Sequence, residues 1–234
     1  MSPDSSSGPG LALTLALAAR ASGDPVGAAQ WTRSLQDEYP GVWQAWWAAG
    51  LLALEREATD EALESFARAA RLADDRPAVL VNLGIVQWLE GHPADARRTF
   101  ARAASLDGFH VRAVACLGMA HLVAGLEVEA ERTLARAAST GGDAGVGSLG
   151  LGVLCSRRGQ WHEAERCFLS IPESAGARRA ALVNVAQVWR GRGMLEEAAR
   201  CTREAVRLGF WPEVAYETWR LALAPIDALD EDTL

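Results

Sequence analysis

Residues 77–110 read PAVLVNLGIVQWLEGHPADARRTFARAASLDGFH. Cuts every 34 residues, in register with this stretch, divide 9–212 into six segments of equal length without a gap. The segments are 9–42, 43–76, 77–110, 111–144, 145–178 and 179–212. Self-similarity at such a period is typical of repeat architectures, in which each unit completes its core against its neighbours. The period therefore predicts one stacked array.

All six segments have a small residue at the eighth and twentieth places. Most have a bulky residue at the twenty-fourth place and a small one at the twenty-seventh. Small side chains at fixed places let two backbones approach closely. The eighth residues are Ala16, Gly50, Gly84, Gly118, Gly152 and Ala186; the twentieth are Ala28, Ala62, Ala96, Ala130, Ala164 and Ala198; the twenty-fourth are Thr32, Phe66, Phe100, Leu134, Phe168 and Thr202; the twenty-seventh are Leu35, Ala69, Ala103, Ala137, Ile171 and Ala205. The same packing contact is therefore predicted in every segment.

Each segment contains two stretches of helical apolar spacing separated by a turn. The fifteenth residue, between them, is Gly in five of the six segments, as at Gly91. Gly suits the turn that ends a helix. An acidic residue at the nineteenth place, such as Asp95 or Glu129, then meets the positive end of the second helix dipole. The sequence predicts an all-α chain of helix pairs.

The quoted segment also matches a known repeat pattern. It carries Leu80, Leu83, Gly84, Ala96, Phe100 and Ala103 at the fourth, seventh, eighth, twentieth, twenty-fourth and twenty-seventh places. This arrangement resembles the tetratricopeptide repeat (TPR), and the resemblance covers 9–212, about nine-tenths of the chain. It implies a right-handed superhelical solenoid of six TPR helix pairs, whose first helices line a concave groove.

The two ends of the chain fall outside the repeats. Residues 1–8, MSPDSSSG, are polar and are expected to form a flexible leader. An amphipathic segment at 213–224 follows the last repeat, and Pro225 stops it. We expect 213–224 to form a capping helix over the last repeat, followed by an acidic tail at 225–234.

The family geometry places particular residues of each first helix in the groove, and here they are mostly apolar. Exposed apolar surface of that kind usually marks an interaction site. The candidate partner-binding residues are Gln44, Trp47, Leu51, Leu54, Val81, Asn82, Ile85, Trp88, Arg112, Met119, Leu122, Leu149 and Val153. We expect Trp47 and Trp88 to be the anchors, and the partner to be a protein or peptide with an apolar segment or an amphipathic helix.

One known type of TPR site does not fit these residues. TPR modules that hold chaperone tails use Lys and Asn at the fifth and ninth places. This chain has Trp47 and Leu51 at those places in its second segment and Val81 and Ile85 in its third. A chaperone-tail receptor is therefore not expected.

Composition excludes several other functions. All 23 cationic side chains are Arg, so there is no lysine for a phosphate-binding loop or a Schiff base. The net charge of −7 argues against nucleic-acid binding. The four Cys and four His show no metal-site spacing, and Gly145, Gly147 and Gly150 match a dinucleotide motif only outside its strand–helix context. We expect no catalytic residues, no metal and no cofactor.

Two binding classes remain open from the sequence. The first is a cytoplasmic interaction scaffold or chaperone, which the unpaired cysteines favour. The second is an envelope lipoprotein, because six-repeat TPR proteins of this size are similar to the pilotins that assist assembly of type IV pilus secretins. In that case Met1 would replace a signal peptide and a lipid-bearing Cys, and the protein would lie at the periplasmic face of the outer membrane. No membrane span is expected in either case, and homo-oligomerisation is left open but is not indicated by the sequence.

Overall fold

The computed structural model describes residues 9–73, 76–106, 110–140, 145–172 and 177–207. These residues form twelve α-helices and no strands, as the sequence predicts. The helices fall into two compact units, one ending at Leu106 and one beginning at Asp107. The leader at 1–8, the capping helix at 213–224 and the acidic tail at 225–234 lie outside the described residues.

The first unit contains three helix pairs and the second unit contains three more. The bounds in the first unit are α1 Pro9–Ala21, α2 Pro25–Glu38, α3 Trp43–Glu55, α4 Thr59–Leu72, α5 Pro77–Leu89 and α6 Pro93–Leu106. Those in the second are α7 Val111–Val123, α8 Glu127–Thr140, α9 Val146–Arg157, α10 Trp161–Leu169, α11 Arg178–Gly191 and α12 Leu195–Arg207. Within each unit, the two helices of a pair pack together, and the second helix packs on the next pair.

The eighth and twenty-fourth places of a repeat form its tightest internal contact. A methyl group at Gly84 would lie 2.5 Å from Cε1 of Phe100, far inside van der Waals contact. Gly50 and Gly152 face Phe66 and Phe168 in the same way. The large ring therefore requires a residue without a side chain opposite it. The first and last repeats have Ala instead of Gly at the eighth place and Thr instead of Phe at the twenty-fourth. A larger residue at one place is therefore matched by a smaller residue at the other.

The fifteenth place ends each first helix with left-handed backbone. Gly91 has a φ of +78°, and the four other glycines at this place lie between +71° and +77°. Glu57 holds the same place in the second repeat, with a φ of +57°. Only Gly adopts this conformation without steric cost, so five repeats follow the backbone preference and one opposes it.

Candidate functional site

Helix α3 brings four of the predicted binding residues to one face. Gln44, Trp47, Leu51 and Leu54 recur at helical spacing, and all four are partly exposed. Trp47, Leu51 and Leu54 also pack their inner atoms against the core that contains Phe66. We call this surface the Trp47 face. It offers apolar side chains that pack on the core and remain partly open to solvent.

The predicted anchor Trp47 is held by a neighbouring aromatic ring. The rings of Trp43 and Trp47 lie edge to face, with centroids 6.4 Å apart and planes at 70°. The guanidinium of Arg76 lies 5.1 Å from the centroid of Trp43, within cation–π range. Burial of the Trp47 indole N–H leaves it without a hydrogen-bond partner among the described residues. Trp47 is therefore fixed by ring packing.

A third indole on α3, that of Trp46, has its own polar and cation–π contacts. Nε1 of Trp46 donates to the carbonyl oxygen of Pro40 at 2.9 Å, and the guanidinium of Arg68 lies 3.8 Å from the ring centroid. Neither Trp43 nor Trp46 is among the residues that the sequence predicts to bind a partner. The run of three Trp within 43–47 was a visible signal, because so many large rings on one short helix cannot all fill the core.

The predicted residues of α5 are mostly buried. Val81 and Ile85 are 1% and 2% exposed, and Asn82 is buried beside them. Trp88 is partly exposed. Of the four α5 residues predicted to bind a partner, Trp88 alone has a substantial accessible surface in this structure.

The second unit buries every apolar residue that was predicted to bind. Arg112 is exposed, but Met119, Leu122 and Leu149 are fully buried and Val153 is 3% exposed. The expectation that these side chains line an open groove is therefore corrected, because the structure buries them. The same correction applies to Val81, Asn82 and Ile85 on α5. Whether any of the thirteen residues binds a partner stays a prediction.

Glycines in α9 give a physical reason for this burial. Gly150 faces Met119 and Leu134 so closely that a methyl group there would lie 2.8 Å from the Met119 sulfur. Because Gly150 has no side chain, α9 can approach α7 closely. Met119 and Leu149, at the ninth and fifth places of their repeats, then pack between the helices. Gly145, Gly147 and Gly150 thus belong to helix packing, because Gly145 caps α9 and the other two are buried within it.

Two thiols of the second unit lie in contact. Cys155 on α9 and Cys167 on α10 are close enough for each thiol to influence the pKa of the other, and both are partly buried. Burial raises the pKa of Cys155, and burial together with the neighbouring Cys155 raises the pKa of Cys167. A raised thiol pKa lowers the population of the nucleophilic thiolate at neutral pH. This pair therefore has the character of packed thiols.

The described residues contain no group of three or more His, Cys, Asp and Glu side chains placed to hold a metal ion. In the same part of the chain, no helix combines the length and apolar character that crossing a membrane would need.

Paired antiparallel helices, repeated every 34 residues and joined at glycine turns, define a helical-repeat scaffold. The tetratricopeptide repeat model matches 13–77 and 81–144, more than half of the chain. The chain belongs to the tetratricopeptide repeat family. The sequence-based recognition and the all-α class are thereby confirmed.

Solved structures share this fold along nearly their whole length. PilW, described as a widely conserved type IV pilus biogenesis factor, aligns with a TM-score of 0.70 and 17% identity, covering 90% of this chain and 98% of PilW. PilF of Pseudomonas aeruginosa aligns with a TM-score of 0.69 and 16% identity, covering 92% and 97%. A TPR protein from Parabacteroides merdae gives 0.60 and 17%, covering 92% and 98%. No curated protein matches the sequence. At these identities the likeness establishes the fold.

Proposed function

We propose that this chain is a non-enzymatic interaction scaffold that binds an apolar or amphipathic segment of a partner protein on the Trp47 face. The observation that carries the proposal is the difference in burial between equivalent places. Trp47 and Leu51 are partly exposed on α3, whereas Met119 and Leu149, at the ninth and fifth places of later repeats, are fully buried. Helix α3 therefore keeps open a surface whose equivalents are buried at Val81 and Ile85 on α5 and at Met119 and Leu149 in the second unit.

The chemistry of this face favours a partner with both apolar and polar sides. Trp47, Leu51 and Leu54 form the apolar centre. The Gln44 amide supplies a polar group beside it. Apolar centres with polar rims are typical of helix-in-groove recognition, in which an amphipathic helix buries one face.

Trp47 is the expected anchor of this interaction. Its ring is already ordered by Trp43 and by the core, so binding would cost little side-chain entropy. Truncation of a central interface Trp typically costs on the order of 2 kcal/mol or more. Trp88 is a second, weaker candidate because it is the accessible member of the α5 set.

The test compares partner capture by variants that keep the fold. Tagged wild-type protein, Leu51→Arg and Val128→Arg would be used in quantitative pull-downs from the source cells, with circular dichroism as the folding check. Val128 is the matched control, because it is an apolar side chain that is 76% exposed in the second unit. Proteins captured by wild type and V128R but lost with L51R support the proposal. Equal capture by L51R and V128R would contradict it.

Purification of the captured protein then permits a quantitative measurement. The double variant Trp47→Ala, Trp88→Ala is expected to raise the Kd at least thirtyfold, which corresponds to about 2 kcal/mol. Wild-type affinity in this variant would show that neither indole is an anchor.

A second candidate function is assistance in type IV pilus assembly, as an outer-membrane pilotin-like lipoprotein. Its support is the near end-to-end coverage of PilW and PilF, at 98% and 97% of their lengths. The two candidates differ in compartment, since the scaffold is proposed to be cytoplasmic and the pilotin-like protein to be lipid-anchored at the periplasmic face. Two experiments distinguish these candidate functions. Cell fractionation with an antibody locates the protein, and a deletion strain shows whether secretin multimers still form. Cytoplasmic location of the protein, together with normal secretin multimers in the deletion strain, would contradict the proposed role in pilus assembly.

A further inference from the structure

The side of α3 opposite the Trp47 face borders a cavity of about 500 Å³. Helix α2 supplies Ala29, Thr32 and Arg33, and α4 supplies Glu64 and Ser65. The cavity lies wholly within the first unit, and its volume falls in the range of small-molecule sites.

Two unusually small residues explain why the cavity exists. The twenty-fourth place, at Thr32, holds Phe or Leu in the four central repeats. The seventh place, at Ala49, holds Leu or Val in all the other repeats. In the second repeat, Phe66 packs against Leu83 and Val86, which are the seventh and tenth places of the following helix. The equivalent places here are Ala49 and Leu52, and both line the cavity.

The floor of the cavity carries a hydroxyl without a partner. Thr32 is 3% exposed, and its Oγ1 has no hydrogen-bond partner among the described residues. Thr202 holds the same place in the last repeat, and its hydroxyl donates to the Ala198 carbonyl at 3.0 Å. Thr32 could make the same bond within its own helix but leaves its hydroxyl free beside the cavity. A buried unpaired hydroxyl is costly unless a bound group satisfies it.

The charged groups around the cavity divide into paired and unpaired ones. Arg56 bonds Glu61 at 2.9 Å, and Glu55 is bridged by Arg20. Among the residues that the structure describes, Arg33 on α2 and Glu64 on α4 take part in no salt bridge. One cation and one anion on different walls are therefore free to bind a ligand.

These two charges lie at similar heights along their helices. Arg33 is the twenty-fifth residue of its repeat and Glu64 the twenty-second. Three residues correspond to about 4.5 Å along a helix axis. Helices α2 and α4 hold equivalent places in successive repeats, and both side chains line the same cavity.

We propose that this cavity binds a small zwitterion, a free amino acid or a dipeptide. The ligand carboxylate bonds Arg33, its ammonium bonds Glu64, one of its polar groups satisfies the Thr32 hydroxyl, and its carbon atoms rest on Ala29 and Ala49. This site is independent of the Trp47 face, which lies on the other side of α3.

The test is isothermal titration calorimetry of the whole chain with the twenty standard amino acids and a set of glycyl dipeptides. For the best ligand, the N-acetyl derivative and the carboxamide each remove one charge. Each derivative is expected to bind at least tenfold more weakly. Arg33→Gln is expected to weaken binding of the zwitterion and abolish the preference for it over the carboxamide. Glu64→Gln is expected to weaken binding of the zwitterion and abolish the preference for it over the N-acetyl derivative.

Two further variants separate ligand binding from folding. Thr32→Val keeps the shape of the side chain and removes the hydroxyl, so it should weaken binding while leaving the melting temperature unchanged or raised. Thr202→Val is the matched control and should bind as wild type does. Ala49→Leu should fill the cavity and abolish binding, and Trp47→Ala should preserve it. Absence of binding by every amino acid and dipeptide at millimolar concentration overturns the proposal, as does unchanged binding in folded A49L.

Discussion

Replacing Glu57 by Gly should stabilise this protein. Glu57 follows the end of α3 with a φ of +57°, where five other repeats have Gly. Its side chain is exposed, so the substitution removes no packing. Left-handed backbone costs an ordinary L-residue roughly 1–2 kcal/mol. Gly also has greater conformational freedom in the unfolded chain, and this offsets about 0.4–1 kcal/mol of the stabilisation.

The net expectation is a gain of about 1 kcal/mol in the free energy of unfolding. For a chain of this size, that gain raises the melting temperature by roughly 2–4 °C. The measurement is urea and thermal denaturation followed by far-ultraviolet circular dichroism. The backbone hydrogen bond from the Glu57 N–H to the Leu54 carbonyl, at 3.0 Å, is available to either residue and should be kept.

Two matched variants isolate the backbone term. Glu57→Gln removes the charge but keeps the strained conformation, so it should lie close to wild type. Glu90→Gly introduces the same substitution in the next repeat at a φ of −76°, where Gly has no advantage and should destabilise. The reasoning is refuted if E57G is no more stable than E57Q, or if E90G gains as much as E57G does.

Three further predictions concern packing and the thiols. Gly84→Ala should lose about 1–3 kcal/mol in urea denaturation, because its methyl group would meet Phe100 at 2.5 Å. Phe100→Thr should partly rescue G84A, as in the natural Ala16 and Thr32 pair, and strictly additive losses would show that the two places are uncoupled. Iodoacetamide should modify Cys155 and Cys167 more slowly in the folded than in the urea-unfolded protein at pH 8, and equal rates would contradict the raised pKa values. Because folding raises these pKa values above their ordinary value of 9.0, the thiols contribute their full stabilisation below that pH. This contribution should be lost as pH rises through the folded pKa values, which a urea series from pH 7 to 10 would measure.

Much of the fold could be read from the sequence because the repeat imposes the same local physics six times. Gly91 predicts a left-handed turn from its own backbone freedom, and the structure shows that turn. Gly84 and Phe100 predict a close helix contact from their sizes, and their contact is found. Such features depend on residues near each other in sequence or at a fixed repeat distance.

The candidate site was less predictable, because accessibility depends on how neighbouring helices fill space. Trp47 and Met119 are both apolar residues on first-helix faces, yet one is partly exposed and the other fully buried. Family geometry treats their places alike. Burial at Met119 follows from the close approach of α9 at Gly150, which is a property of the packed helices.

The cavity beside α3 shows the same division. Thr32 and Ala49 are visible in the sequence as departures from the residues usual at their repeat places, but they lie 17 residues apart and nothing in the sequence links them. Both residues line one cavity, which Arg33 and Glu64 also border, only once α2, α3 and α4 are packed.

The sequence by itself determined the all-α class, the 34-residue period and the family, because periodic side-chain size and glycine backbone freedom act locally in every repeat. Tertiary structure alone decided which apolar residues remain accessible and where space is left unfilled. Exposure and volume belong to the sum of all neighbouring side chains, so no single segment of sequence specifies them.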